Sequence, residues 1–177
     1  ESVSHESSKD YKAAISSMKV YISNRGDKYL TSLRVAWLHY SNNDFKNAIT
    51  YYELAAKSSR GSVSPLLGLL NTYEKLADVS KQIKMCKAIL SLDKTNYTAL
   101  MKLGALSFTA KDYRTCKAAY SQLLQAYPED LAAISGYAWT LVYLGDKKKA
   151  LPHFTKLVSM SPDYSYAEKG YKLCGGK

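Results

Sequence analysis

Three histidines, His5, His39 and His153, and three cysteines, Cys86, Cys116 and Cys174, are the side chains with which this chain could run acid–base, nucleophilic or metal chemistry. Such chemistry needs them gathered: a nucleophile within reach of a base, a base held by a carboxylate, or several ligands converging on one ion. Their spacing offers none of these. There is no Cys-x-x-Cys pair, no histidine stands where it would complete a zinc site, and no glycine-rich phosphate loop occurs. Glu129-Asp130 follows Pro128 in a turn, where solvated carboxylates are ordinary helix caps. The sequence therefore predicts no enzyme, no bound metal and no cofactor. An odd number of thiols argues against a disulfide framework and for small buried packing residues, which favours a reducing, cytoplasmic compartment. The first residues, Glu1 to Lys9, have neither an initiator Met nor an apolar leader core. They read as a trimmed end, so a periplasmic or envelope-associated place stays open.

The elements that would position any functional residue are set by a repeat. Asp10, Asp44, Asp78, Asp112 and Asp146 recur at intervals of 34 without gap or insertion. Other columns hold the same register: Ala14, Ala48, Gln82, Cys116 and Ala150, or Met18, Tyr52, Cys86, Tyr120 and Phe154. Each unit reads as two helices. The aspartate caps the second of them, because a short carboxylate accepts orphan N–H groups and opposes the positive end of the helix dipole. Behind it, Ala48, Ile49, Tyr52, Ala55 and Ala56 form one apolar stripe at helical spacing. Gly26 or Gly61, and later Pro128 or Pro162, close the units. Ahead of each aspartate runs a leading helix, as in Leu66, Leu69, Leu70 and Tyr73.

This pattern resembles the tetratricopeptide repeat (TPR) family over about residues 10 to 162. The resemblance rests on the period, the small residue where paired helices meet, the aromatic midway along the second helix and the closing proline. The best copies run from Leu100 through Gly104, Asp112, Tyr113 and Tyr120 to Pro128, and from Gly145 through Ala150 and Phe154 to Pro162. Gln82 departs at the small position, and Arg60 and Lys94 at the proline. The resemblance implies an all-α, right-handed α-solenoid of about ten helices without strands. Residues 1–27 hold a partial repeat whose second helix covers about 10–24. Four full repeats follow at about 29–60, 63–94, 97–128 and 131–162, and a capping helix and tail fill 163–177. Pro152, inside the last second helix, predicts a kink.

Helical spacing divides each leading helix into two stripes. Ser32/Val35/Ala36/His39 and its counterparts in later repeats form the packing stripe. The other stripe holds Leu30, Leu33, Arg34 and Trp37; Leu67 and Asn71; Met101 and Lys102; Trp139 and Tyr143. In the family this stripe lines a concave groove, so the resemblance implies a non-catalytic scaffold that holds a peptide segment or partner protein there. Trp37 and Trp139 share one column, three repeats apart. The lysine and asparagine set with which some members clamp a C-terminal carboxylate is missing: Leu33 and Trp37 stand at those places. The second helices present Lys81, Lys84, Lys87, Arg114, Lys148 and Lys149 on their outer face, and the net charge is +10. That face offers an alternative function, docking to nucleic acid or another anionic surface. The Trp37, Asn71, Ala105 and Trp139 column carries no regular polar code of the kind helical RNA readers use, which argues against nucleic acid. The longest uncharged run, Leu131 to Gly145, falls short of the roughly 20 apolar residues of a membrane span, leaving peripheral membrane contact as the membrane option.

Overall fold

The computed structural model of the chain describes residues 10–23, 27–59, 61–164 and 166–176. Among them are ten helices and no strand. In chain order these are α1 (Tyr11–Ser23), α2 (Lys28–Ser41), α3 (Phe45–Ser58), α4 (Ser64–Lys75), α5 (Val79–Leu92), α6 (Tyr97–Thr109), α7 (Tyr113–Ala126), α8 (Leu131–Tyr143), α9 (Lys147–Met160) and α10 (Ala167–Leu173). His5, Gly26, Arg60 and the side chain of Lys19 lie outside the described residues.

In three hairpins the recurring aspartate serves both helices. The backbone N–H of Asp44 donates to the carbonyl of His39 at 2.8 Å, closing α2 five residues back. Its carboxylate then accepts the N–H of Asn47 and caps α3. Asp78 and Asp112 repeat both bonds, to Tyr73 and Lys81 and to Ser107 and Thr115. The residue just before Asp44, Asp78, Asp112 and Asp146 takes the left-handed conformation: Asn43 at φ 57°, Ala77 at 53°, Lys111 at 58° and Gly145 at 83°. That single residue turns the chain back within three residues, so consecutive helices lie antiparallel.

Asp146 differs from its counterparts. Its N–H still reaches the Leu141 carbonyl, but its carboxylate makes no cap bond and pairs with the Lys149 ammonium at 2.8 Å. α9 also runs unbroken through Pro152. Proline cannot donate to the Lys148 carbonyl one turn back, and Lys148 is exposed, so water can meet that carbonyl without interrupting the helix.

Two compact units divide at Asp93 and Lys94: α1 to α5 in unit 1, α6 to α10 in unit 2. In unit 1, Ala36, Ala48, Tyr52, Leu69 and Tyr73 form a core, with Ala14, Ile15 and Leu38 packed together at its start. In unit 2 the core gathers Ile134, Ala138, Leu141, Ala150, Phe154, Leu157 and Ala167. Beyond neighbours in sequence, leading helices touch leading helices, α2 meeting α4 in unit 1 and α6 meeting α8 in unit 2, and α8 also meets α10. Second helices make no such contact among the described residues. Within each unit the leading helices therefore line the closer-set side.

Large rings set the spacing between hairpins. A Cβ built on Gly68 would lie 2.3 Å from the ring of Tyr52, and one on Gly136 would lie 2.4 Å from that of Tyr120. Gly170 meets Phe154 in the same way at 2.2 Å. Each ring thus reaches from a second helix onto the bare backbone of the next leading helix, an approach that glycine alone permits.

Candidate functional site

The stripe that helical spacing separates from the packing stripe is the stripe that faces open space. Ser32, Val35, Ala36 and His39 are buried on α2, while Leu30 and Trp37 are exposed and Leu33 and Arg34 half-buried. On α8 the same division buries Ile134, Ala138 and Leu141, leaves Trp139 half-covered and exposes Tyr143.

In unit 1, Leu30, Leu33, Arg34 and Trp37 of α2 face Ser64, Leu67, Gly68 and Asn71 of α4 across a cavity of about 460 Å³ with Tyr52 at its floor. The Arg34 guanidinium lies over the Trp37 indole, 4.8 Å from the ring centroid. This cation–π contact covers one face of a tryptophan whose surface is 40% exposed.

In unit 2 the cavity is about 660 Å³, within the range of ordinary ligand sites. Three helices build it. α6 supplies Ala105, Phe108 and Thr109, α8 supplies Ser135, Gly136, Trp139 and Tyr143, and α10 with its cap supplies Tyr166, Lys169 and Leu173. Tyr120 lies between α6 and α8. The rings brace one another: Tyr143 stacks on Tyr113 at 5.2 Å and meets Phe108 edge-on at 5.1 Å, while Trp139 stands edge-on to Phe154 at 5.2 Å. Burial pushes the phenols of Tyr52 and Tyr120 up to about 12, so both stay neutral near pH 7.

Eight of the ten sequence-predicted groove residues thus line a cavity: Leu30, Leu33, Arg34, Trp37, Leu67 and Asn71 in unit 1, Trp139 and Tyr143 in unit 2. Met101 and Lys102 line neither; both are half-buried on α6, whose later turns form the wall. The sequence reading missed Tyr52, Phe108, Thr109, Tyr120, Tyr166, Lys169 and Leu173. A signal for the last three exists, since they stand three periods after Ser64, Leu67 and Asn71.

The outer lysines are arranged differently. Lys81 pairs with Asp78 at 3.2 Å and lies over the Tyr73 ring, and Lys149 pairs with Asp146. Hydrogen bonding to those carboxylates holds both ammonium groups above their usual range. Lys84, Lys87, Arg114 and Lys148 are exposed, and none of the six borders either cavity.

The potentially reactive side chains have structural partners. His39 Nδ1 contacts the Asp44 carboxylate at 2.9 Å and its ring stacks on Tyr51, tying the end of α2 to the start of α3. Burial, with the Lys156 charge, lowers His153, which stands edge-on to Tyr137. The Cys116 thiol is 2.9 Å from the Thr140 hydroxyl and is pushed up by burial, which leaves it little thiolate. Among the described residues no group of His, Cys, Asp and Glu could hold a metal, and no helix is long and apolar enough to cross a membrane.

Comparison with known proteins follows the repeat. Models described as tetratricopeptide repeat match residues 32–61, 98–130 and 133–164. The human peptidyl-prolyl cis-trans isomerase FKBP4 is 30% identical over 99 residues, 56% of this chain and 20% of that protein. The chain spans a fifth or less of the length of the curated relatives it matches. Among solved structures, MamA superposes with a TM-score of 0.73 at 21% identity, covering 85% of this chain and 82% of MamA. YrrB, described as a TPR protein with an unusual peptide-binding site, superposes with a TM-score of 0.75 at 16% identity, covering 89% of this chain and 81% of YrrB.

Proposed function

The chain belongs to the tetratricopeptide repeat family, a fold of protein-interaction scaffolds that is typically non-catalytic, and from that premise we propose that it holds a peptide segment of a partner protein against its leading helices. The observation that carries the reading is the pair of cavities, each on the leading-helix side of its own unit and each with a tryptophan in the same repeat column. Tryptophan dominates binding energies because it brings large area at low entropic cost, and arginine because it brings directed charge. Trp37 and Arg34 meet that description in unit 1, as Trp139 and its bracing rings do in unit 2. The peptide-binding site of YrrB, a neighbour in fold, supports the same class of ligand. No cofactor enters this function.

The test is capture of partners from a lysate, identification by mass spectrometry, and measurement of the captured segment's affinity for variants. Arg34→Ala and Trp139→Ala should each weaken it, the tryptophan by about thirtyfold, the effect of losing roughly 2 kcal/mol at a hot spot. Because Trp139 also packs on Phe154, its variant needs a parallel unfolding curve. Unchanged affinity in both, together with loss on changing Lys81, Lys84 and Lys87 at once, would transfer the function to the basic outer face and an anionic partner.

A further inference from the structure

The two cavities occupy the same repeat register, and the comparison assigns α10 a role beyond covering the end of unit 2. Leu33, Arg34 and Trp37 of the first cavity stand three periods before Ser135, Gly136 and Trp139 of the second. Ser64, Leu67 and Asn71 of α4 stand three periods before Tyr166, Lys169 and Leu173. α10 therefore takes the place of a leading helix and forms a wall of the cavity. It is held there by Gly170, whose backbone lies against the Phe154 ring.

What differs between the cavities is where the positive charge stands. In unit 1 it is Arg34, on the same helix as the tryptophan and lying over its ring. In unit 2 that column holds Gly136, and among the described residues no cation lies over Trp139. The charge has moved to the facing wall as Lys169, the one charged side chain among the described residues that line the cavity. Its neighbour Glu168 is taken by Lys172, and Lys169 itself makes no ion pair among the described residues. Aromatic walls with a single cation at one side fit a bulky apolar side chain that has a carboxylate beside it.

We propose that the unit 2 cavity takes one large apolar side chain of an acidic polypeptide segment, with Lys169 of α10 pairing to a carboxylate flanking that anchor. The proposal rests on the peptide-binding reading and adds to it the chemistry of the segment and the residue that selects it. A nucleic acid is disfavoured because a single lining cation neutralises too few phosphates to hold one. An exposed ion pair contributes little to affinity, so Lys169 acts mainly by rejecting the wrong charge, and reversal of its sign reveals it best.

Three labelled peptides sharing a central Trp and flanked by Glu, by Ser or by Lys serve as probes, with a single-stranded oligonucleotide as a fourth. Fluorescence anisotropy with the full chain should rank Glu above Ser above Lys. Lys169→Glu should weaken the Glu-flanked peptide roughly tenfold and strengthen the Lys-flanked one. Lys169 is exposed, so circular dichroism should be unchanged in this variant. The Trp139 indole N–H signal should shift when the Glu-flanked peptide is added. The inference is overturned if Lys169→Glu leaves the order intact, if the oligonucleotide binds more tightly than the Glu-flanked peptide, or if none of the three peptides binds. In those cases the capture experiment above still decides, independently, whether a partner segment is held on the leading helices at all.

Discussion

The cavities of unit 1 and unit 2 share six positions three repeat periods apart, yet they present different chemistry. In unit 1 a small hollow carries Arg34 over Trp37; in unit 2 a glycine replaces the arginine, and α10 brings Lys169 to the opposite wall. The lesson is that packing columns and surface columns vary independently. Tyr52 against Gly68 and Tyr120 against Gly136 fix the spacing of hairpins in both units, while the neighbouring positions are left to set charge and size.

The change expected to separate the units most is Phe154→Ala. Phe154 is fully buried, and its ring supports Trp139 and Gly170 together, so truncation should cost about 3–5 kcal/mol in urea unfolding and remove the wall on which Lys169 stands. A cost below about 1 kcal/mol would show that the ring is not what holds α10. Next, Gly68→Ala and Gly136→Ala should each destabilise by about 1–3 kcal/mol, by forcing a Cβ into a tyrosine ring, and by similar amounts if the contact is a property of the repeat. A variant pair in which Tyr52→Leu accompanies Gly68→Ala should lose less than the two changes summed.

Smaller effects should come from the turns, and with opposite signs. Ala77→Gly in unit 1 relieves a left-handed alanine and should stabilise by up to about 1 kcal/mol, whereas Gly145→Ala in unit 2 should cost about 1–2 kcal/mol. Equal signs in thermal melts would contradict the shared turn geometry. The least effect is in acid. Bonds from Asn47, from Lys81 and from Lys149 hold Asp44, Asp78 and Asp146 below the ordinary carboxylate range. A lowered folded value gives stability that is complete above the unfolded value and is lost as pH falls through the folded one. Carboxyl carbon titrations should place all three below the usual value, with Asp146 responding to Lys149→Ala and the other two indifferent to it.

The fold was legible because a gapless period of 34 marks out pairs of helices whose arrangement the resemblance to the repeat family implies, and the recurring aspartates announce where each second helix starts. What the period did not disclose is the left-handed residue before each cap. Asn43 and Gly145 suit that conformation, but Ala77 and Lys111 adopt it against preference and give no sign of it. Helical spacing likewise sorted α2 and α8 into buried and open stripes. Met101 and Lys102 followed from the register but stand away from the cavity, because in unit 2 it opens along the later turns of α6. Tyr52 and Tyr120 read as packing residues alone, since a ring's reach across a neighbouring backbone depends on the residue it meets. The glycines at 68, 136 and 170, each sixteen residues after a ring at 52, 120 or 154, were the available clue. Lys169 falls in 163–177, a stretch that reads as a cap because no further aspartate continues the register there.

The most direct test of the account is an amide chemical-shift map of the isotopically labelled chain, titrated with the Glu-flanked Trp peptide. Perturbations should be confined to the leading-helix side of unit 2, including Gly136, Trp139 and Lys169, with Lys84, Lys87 and Lys148 unmoved. Perturbations centred on those outer lysines, with Trp139 and Lys169 silent, would contradict it.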